Sequence, residues 1–140
     1  FDKICDPESG IDWAIGRAEV EDIDRLNILQ ATFLAMRRAL ACLKAGWDVA
    51  LIDGAQTPDQ DAHQVALIGG DAASLSIAAA SVLAKVTRDK ELVAYDQEYP
   101  GYGFAKHKGY PTRDHLEALR RFGPCPSHRH SFRPVREASR

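Results

Sequence analysis

The chain has 140 residues, of which 45% are hydrophobic and 27% charged, and its formal net charge is −2. These values are ordinary for a soluble globular protein of about one domain, long enough to bury a core. No apolar stretch approaches the ~20 residues that a membrane-spanning helix needs, and the first residues carry no signal-peptide pattern. Three cysteines, odd in number and widely spaced, favour reduced thiols in a cytoplasmic protein over a disulfide framework or a zinc site. They are Cys5, Cys42 and Cys125.

Charge is unevenly distributed along the chain. Residues 1–70 hold 6 basic and 12 acidic side chains, whereas residues 101–140 hold 9 basic and 3 acidic ones. The basic part is either a solvated face or a surface that follows phosphates, since Lys and Arg supply the salt-dependent part of nucleic-acid affinity. Four histidines are assigned to the same basic surface: His107, His115, His128 and His130.

The predicted elements of the first half alternate between strand and helix. Residues Ile11–Val20 are predicted to form a strand, in which Trp13 and Ile15 alternate with polar neighbours. Acidic residues then suit a first helical turn, and apolar residues recur at helical spacing as far as Gly46. The nearly all-apolar run Trp47–Ile52 predicts a buried strand.

The second half continues this order. A polar loop precedes a short apolar run, Val65–Ile68, and a long helix is predicted from Ala72 to Asp96. Thr112 is a suitable N-cap for a last helix, Arg113–Phe122, and no periodicity follows Pro124. The order of elements predicts one α/β domain over residues 1–140.

Two aspartates lie where the chemistry of such a domain is usually found. Asp53 ends the predicted strand, and Asp71 precedes the long helix, eighteen positions later. A carboxylate at a strand end and another at a helix start can meet on one divalent ion, because Mg²⁺ prefers oxygen ligands and uses one or two protein carboxylates. The alternative is structural: Asp53 opens a turn with Gly54, and Asp71 caps a helix.

Several long stretches carry a more specific signal: Asp24–Thr32, Ile52–Gly54, Gly70–Asp89, Tyr102–Thr112 and His130–Val135. In order and spacing they resemble the bacterial ribonuclease HII family. The resemblance covers the chain from about Ile11 onward and implies an RNase H-like fold with a mixed sheet flanked by helices.

What the resemblance implies is an endoribonuclease that hydrolyses the RNA strand of RNA–DNA hybrids, including single ribonucleotides embedded in duplex DNA. The family holds two divalent ions, Mg²⁺ or Mn²⁺, with four carboxylates, and Asp53 and Asp71 match two of them. Tyr110 matches the tyrosine that stacks on the sugar at the junction of RNA and DNA, although a rim aromatic is the structural alternative.

Three further side chains are candidates for substrate binding. Lys85 and Arg88 are expected to meet phosphate or the acidic cluster, or else to form a structural ion pair. Asn27 is expected to hydrogen-bond the nucleic-acid backbone or to satisfy a buried loop. The expected partner is thus an RNA–DNA hybrid or a DNA duplex that contains a ribonucleotide. No membrane partner is expected, and the protein is expected to be a monomer.

One family segment has no counterpart in these residues. The first two metal carboxylates belong to a strand that ends in Asp-Glu-Ala-Gly-Arg-Gly, and that sequence does not occur here. The expectation is therefore a ribonuclease HII-like catalytic domain that is N-terminally incomplete and lacks the first strands. The alternative function is a truncated, non-catalytic remnant that binds hybrid duplexes.

Overall fold

Helices make up most of the structure, and two short strands form its sheet. The computed structural model describes residues 1–139. The predicted α/β class is confirmed. No helix in that range is both long enough and apolar enough to cross a membrane. The elements are α1 (Asp2–Cys5), a 3₁₀ turn (Pro7–Ser9), α2 (Val20–Leu26), α3 (Ile28–Cys42), β1 (Ala50–Asp53), β2 (Gln64–Leu67), α4 (Gly70–Ala73), α5 (Leu75–Glu98), α6 (Phe104–His107), α7 (Arg113–Phe122) and α8 (Arg133–Ala138).

The chain divides into two compact units. The first comprises Phe1–Ala18 and Leu29–Val86, and the second comprises Glu19–Ile28 and the chain from Thr87 onward. That residues 1–140 form a single domain stays a prediction.

The sheet of the first unit consists of β1 and β2, which run parallel with Asp53 opposite Leu67. Ala50 and Ile52 are buried, so one side of β1 faces the core of this unit. The loop between the strands is fastened by Arg37, whose guanidinium donates to Asp59 Oδ1 at 2.7 Å and to the carbonyl of Pro58 at 2.6 Å. This loop returns the chain to the start of β2, so both strands end on the same edge of the sheet.

The strand predicted for Ile11–Val20 is wrong, because residues 11–19 form neither strand nor helix. The backbone of this segment lies against α3 instead. A Cβ added to Gly16 would come within 1.8 Å of the carbonyl oxygen of Ala35. Arg38 Nη1 donates to the carbonyl of Arg17 at 2.6 Å, which occupies an acceptor that a strand would offer to its neighbour. Alternation over a few residues did not reveal this packing.

Two predicted helices are each divided in the structure. The first is interrupted at Asn27, which has φ 72° and whose N–H donates to the carbonyl of Ile23. The second is interrupted at Ser74, whose extended backbone separates α4 from α5. Ser74 Oγ accepts the N–H of Ile77 at 3.5 Å, so this serine caps the start of α5.

The second unit has its own core around the last helices. Its buried side chains are Leu92, Tyr102, Phe104, Ala118, Leu119, Cys125 and Val135. The predicted helix Arg113–Phe122 is confirmed with its cap, because Thr112 Oγ1 accepts the N–H of His115 at 3.3 Å. The unpredicted α8 packs Val135 into this core. All three cysteines are free, as the sequence predicts.

Candidate active site

The carboxyl edge of the sheet brings Asp53 beside the start of α4. Asp53 is the last residue of β1, and its Oδ1 accepts the N–H of Gly70 at 2.9 Å. Gly54 N–H donates to the carbonyl of Leu67 at 3.0 Å, which extends the strand pairing to the end of β1. Gly70 immediately precedes Asp71, so both predicted aspartates lie at this edge of the first unit.

Gly70 makes this close approach possible. A Cβ at this position would lie 2.6 Å from Ile77 Cδ1 and 3.4 Å from Asp53 Oδ1. The preceding Gly69 has φ 65°, a left-handed conformation that turns the chain from β2 into α4 and that glycine adopts without strain. The paired glycines therefore allow the helix start to meet the strand end.

The donor chemistry of this pair fits a hard divalent cation. Asp53 and Asp71 are exposed. Asp71 Oδ1 accepts the N–H of its neighbour Ala72 at 2.9 Å. Carboxylate oxygens are the ligands that Mg²⁺ prefers, and that ion commonly completes its shell with water and substrate phosphate. Within residues 1–139, no group of three or more His, Cys, Asp or Glu side chains is arranged to hold a metal. The described residues thus contribute two carboxylates at this edge.

The predicted phosphate-binding residues both lie on α5. Lys85 is exposed and belongs to the first unit, whereas Arg88 is exposed and belongs to the second. Arg88 Nη2 lies 3.5 Å from the position that a Cβ of Gly109 would take. The second unit therefore brings Arg88 next to the loop that carries Tyr110.

Tyr110 is 65% exposed, in a loop with a tightly specified backbone. Lys108 and Gly109 both have positive φ, 50° and 79°. Tyr110 N–H donates to the carbonyl of His107 at 2.9 Å, and its own carbonyl accepts the N–H of Thr112 at 2.8 Å. An exposed ring on a fixed backbone is suited to contact a ligand.

Asn27 is exposed and lies in the second unit. Its φ of 72° is unusual for a residue other than glycine. Backbone strain of this kind occurs more often at functional sites than elsewhere. Its proposed contact with nucleic acid stays a prediction.

The assignment of four histidines to a basic surface is wrong for three of them. His107, His115 and His128 are buried, with 6%, 6% and 5% of their surface exposed. The rings of His107 and His115 stack with their centroids 4.1 Å apart, and His115 Nε2 lies 3.0 Å from His128 Nε2. Burial lowers the pKa of His115; burial and the neighbouring histidines lower the pKa of His128 to about 4. His115 and His128 are therefore neutral at pH 7 and add no charge to a basic surface.

Sequence reasoning also missed the role of Asp24. Its two carboxylate oxygens accept the backbone N–H groups of His130 and Ser131, each at 2.8 Å. Burial acts to raise the pKa of Asp24, but hydrogen bonds from Ser131 and His130 outweigh it and hold that pKa below its usual value. The partners lie more than one hundred positions apart, so no local pattern could have paired them.

Comparison with known proteins agrees with this geometry. The family model "Ribonuclease HII" matches residues 9–135. A protein from Nitrosococcus oceani named ribonuclease HII is 53% identical over 124 residues, which are 89% of this chain. The chain spans 62% of the length of that relative. The matched range includes the carboxylate pair, the Tyr110 loop and the buried histidines, and the family match supports an RNase H-like fold. The chain therefore belongs to the ribonuclease HII family.

Proposed function

We propose that this chain is the part of an endoribonuclease that hydrolyses the RNA strand of RNA–DNA hybrids, including single ribonucleotides embedded in duplex DNA. The observation that carries the proposal is the hydrogen bond from Gly70 N–H to Asp53 Oδ1, which brings the neighbourhood of Asp71 to the end of β1. Family membership supports the same reaction class.

Asp53 and Asp71 are the residues that would hold divalent metal, Mg²⁺ or Mn²⁺. In the proposed two-metal reaction, the ions that these residues would hold would supply a lowered pKa for a water nucleophile and stabilisation of charge on the departing oxygen. The chain's own contribution is to fix the two carboxylates. The sheet edge holds Asp53, and the N–H of Ala72 orients the side chain of Asp71.

Four exposed side chains are assigned to substrate recognition. Tyr110 would stack on the sugar of the ribonucleotide, where reading the 2′-hydroxyl separates RNA from DNA. Arg88 and Lys85 would meet phosphates, and Asn27 would hydrogen-bond the nucleic-acid backbone. The exposure of Tyr110 and the nearness of Arg88 to Gly109 support this assignment. We propose a monomer that acts in the cytoplasm.

A second candidate function is binding of hybrid duplexes without cleavage. One observation favours it. Within residues 1–139, only the two carboxylates of Asp53 and Asp71 are assigned to the carboxyl edge of the sheet, whereas a pair of metal ions is usually held by more than two. In this case the Tyr110 loop and the basic side chains would act without the metal.

The experiment that separates the two functions is cleavage of a DNA duplex that carries one ribonucleotide. The chain is incubated with the duplex and Mn²⁺, with EDTA as the control. The proposed enzyme predicts a cut at the 5′ side of the ribonucleotide that EDTA abolishes. A folded chain that binds the duplex in a gel-shift assay but leaves it intact would establish the binding function instead.

A further inference from the structure

We propose that His115 and His128 are positioning residues that fix the backbone of Tyr110, and through it the ring that reads the ribonucleotide. This inference rests on the proposed role of Tyr110 in substrate recognition. Neither histidine needs to touch the substrate, because both act through hydrogen bonds inside the second unit.

The chain of contacts runs from Tyr110 into the core. His115 Nδ1 lies 3.0 Å from the carbonyl oxygen of Tyr110, and His115 Nε2 lies 3.0 Å from His128 Nε2. His128 Nδ1 accepts the N–H of Cys125 at 3.1 Å and lies 3.0 Å from its Sγ. We call this continuous line of hydrogen bonds, from the Tyr110 carbonyl through His115 and His128 to Cys125, the histidine line. It joins an exposed loop to a buried cysteine.

The Tyr110 carbonyl fixes the direction of every bond in this line. A carbonyl accepts but cannot donate, so His115 Nδ1 must carry the proton. In the neutral ring His115 Nε2 is then the acceptor, and His128 Nε2–H must donate to it. His128 Nδ1 is consequently the acceptor for Cys125. Burial raises the pKa of the Cys125 thiol, which therefore stays protonated. The carbonyl of Cys125 also lies 3.3 Å from His128 Nδ1, a longer contact that receives no proton in this assignment. The hydrogen bonds from Tyr110 to the Cys125 N–H are thus complete without charge.

His107 fixes the same loop from its other side. Gly109 N–H donates to His107 Nδ1 at 3.1 Å, which leaves His107 Nε2–H to donate to the carbonyl of Tyr102 at 2.8 Å. Its ring stacks on that of His115 at an interplanar angle of 10°. The residue before Tyr110 and the carbonyl of Tyr110 itself are thus both held by buried imidazoles.

A purely structural role would be that of core histidines whose polar atoms happen to be satisfied. The observation against this is where the line ends: Tyr110 is 65% exposed and lies outside the core. Three hydrogen-bonding atoms meet at this point, since the Tyr110 carbonyl accepts from both Thr112 N–H and His115 Nδ1–H. A carbonyl that accepts two hydrogen bonds restricts the rotation of the peptide at Tyr110.

The test compares two substitutions at one position. His115→Asn places an amide donor near the site of Nδ1, whereas His115→Gln places its amide near the site of Nε2 and loses the bond to Tyr110. The readout is the ratio of dissociation constants for an all-DNA duplex and for the same duplex with one ribonucleotide. We expect His115→Asn to keep this ratio and His115→Gln to reduce it about fivefold, the effect of losing one hydrogen bond.

Leu119→Ala is the matched control, because Leu119 is 2% exposed in the same core and is not part of the histidine line. It should lower stability while leaving the ratio unchanged. The proposal would be overturned if a folded His115→Gln variant had the same ratio of dissociation constants as the unmodified chain. It would also be overturned if Leu119→Ala reduced this ratio as much as His115→Gln does.

A second measurement does not depend on nucleic acid. Nitrogen-15 NMR of the histidine rings should show the proton of His115 on Nδ1 and the proton of His128 on Nε2. The opposite tautomer at His115 contradicts the positioning role, whatever the chain binds. If the tautomers are as expected but the unmodified chain does not distinguish the two duplexes, then the role proposed for Tyr110 fails and this inference fails with it.

Discussion

The carboxylate pair and the histidine line are two polar groupings of opposite design. Asp53 and Asp71 are exposed, and each accepts a backbone N–H, from Gly70 and from Ala72 respectively. His115 and His128 are buried, and both ring nitrogens of each are occupied. The first grouping keeps oxygen atoms available to a ligand, whereas the second leaves no ring nitrogen for one.

This difference separates the consequences of mutation. Removing an exposed charge changes little in packing, so its main effect should be on chemistry. Removing a buried, hydrogen-bonded ring leaves partner atoms unsatisfied, so its main effect should be on stability and on the loop it holds. The following predictions test whether the two groupings behave in these separate ways.

The largest effect is expected from Asp71→Asn. Loss of one carboxylate charge should reduce metal-dependent cleavage by about a hundredfold or more, as is common when a metal site loses a ligand or its support. The free energy of unfolding should change by less than about 0.5 kcal/mol, because Asp71 is exposed. Initial cleavage rates and urea unfolding measure the two quantities. Asp48→Asn, another exposed aspartate of the first unit, is the control, and full turnover in Asp71→Asn would rule out the metal assignment.

The histidine line should make the protein sensitive to mild acid. The folded-state pKa of His128, about 4, lies below its value of about 6.5 in an unfolded chain, so the unfolded state binds more protons between these pH values. Stability is therefore fully present above pH 6.5 and should fall by up to about 3 kcal/mol as the pH approaches 4. The lowered pKa of His115 acts in the same direction. Electrostatic repulsion from His115, His107 and His130 adds to the effect of burial in lowering the pKa of His128.

The measurement is the free energy of unfolding from pH 7 to pH 4 for the unmodified chain and for His128→Gln. Glutamine offers an amide donor to His115 but does not titrate, so its stability should vary less over this range. Parallel curves for the two proteins would show that His128 is not the source of the acid sensitivity.

Tyr110→Ala should affect recognition more than folding. Tyr110 is 65% exposed, so the free energy of unfolding should change by less than about 0.5 kcal/mol. The preference for a duplex with one ribonucleotide over the matching DNA should fall by about tenfold, or ~1.4 kcal/mol. Tyr110→Phe keeps the ring and is the matched comparison. A stability loss as large as the loss of preference would identify a structural tyrosine.

The smallest effect is expected from Asp24→Asn, which keeps one oxygen acceptor and loses the charge. Two backbone N–H groups, from His130 and Ser131, share the carboxylate, and losing one charged acceptor from a partly exposed site should destabilise by about 1 kcal/mol. Because the folded-state pKa of Asp24 is lowered, its contribution is present above the unfolded value and is lost as the pH falls below it. The difference in the free energy of unfolding between the unmodified chain and Asp24→Asn should therefore be smaller at pH 3 than at pH 7.

Local chemistry made parts of this structure predictable from sequence. The helix Arg113–Phe122 follows from the Thr112 cap and the Gly123 stop, both of which act within one turn. The strand end at Asp53 follows from an apolar run and a glycine. The position of Asp71 at a helix start was also predicted from adjacent residues alone.

Features that depend on distant partners were not predictable. Gly16 lies against α3 because of residues about twenty positions away, and this turned an apparent strand into an irregular segment. The histidines look like basic surface in a region rich in Arg and Lys, yet three of them are buried in contact with one another. Helical spacing in α7 does give a signal that His115 is buried. It precedes the buried residues Ala118 and Leu119 by three and four positions, which places it on the same face of the helix.

Mn²⁺ titration followed by NMR will show whether Asp53 and Asp71 form one cation site. Paramagnetic Mn²⁺ broadens the signals of nearby amides, so binding is visible without turnover. We expect the amides of Gly70 and Ala72 to broaden first, and we expect Asp53→Asn and Asp71→Asn each to abolish this effect. Broadening that is centred on other residues, or that persists unchanged in both variants, would show that the two carboxylates do not share a cation.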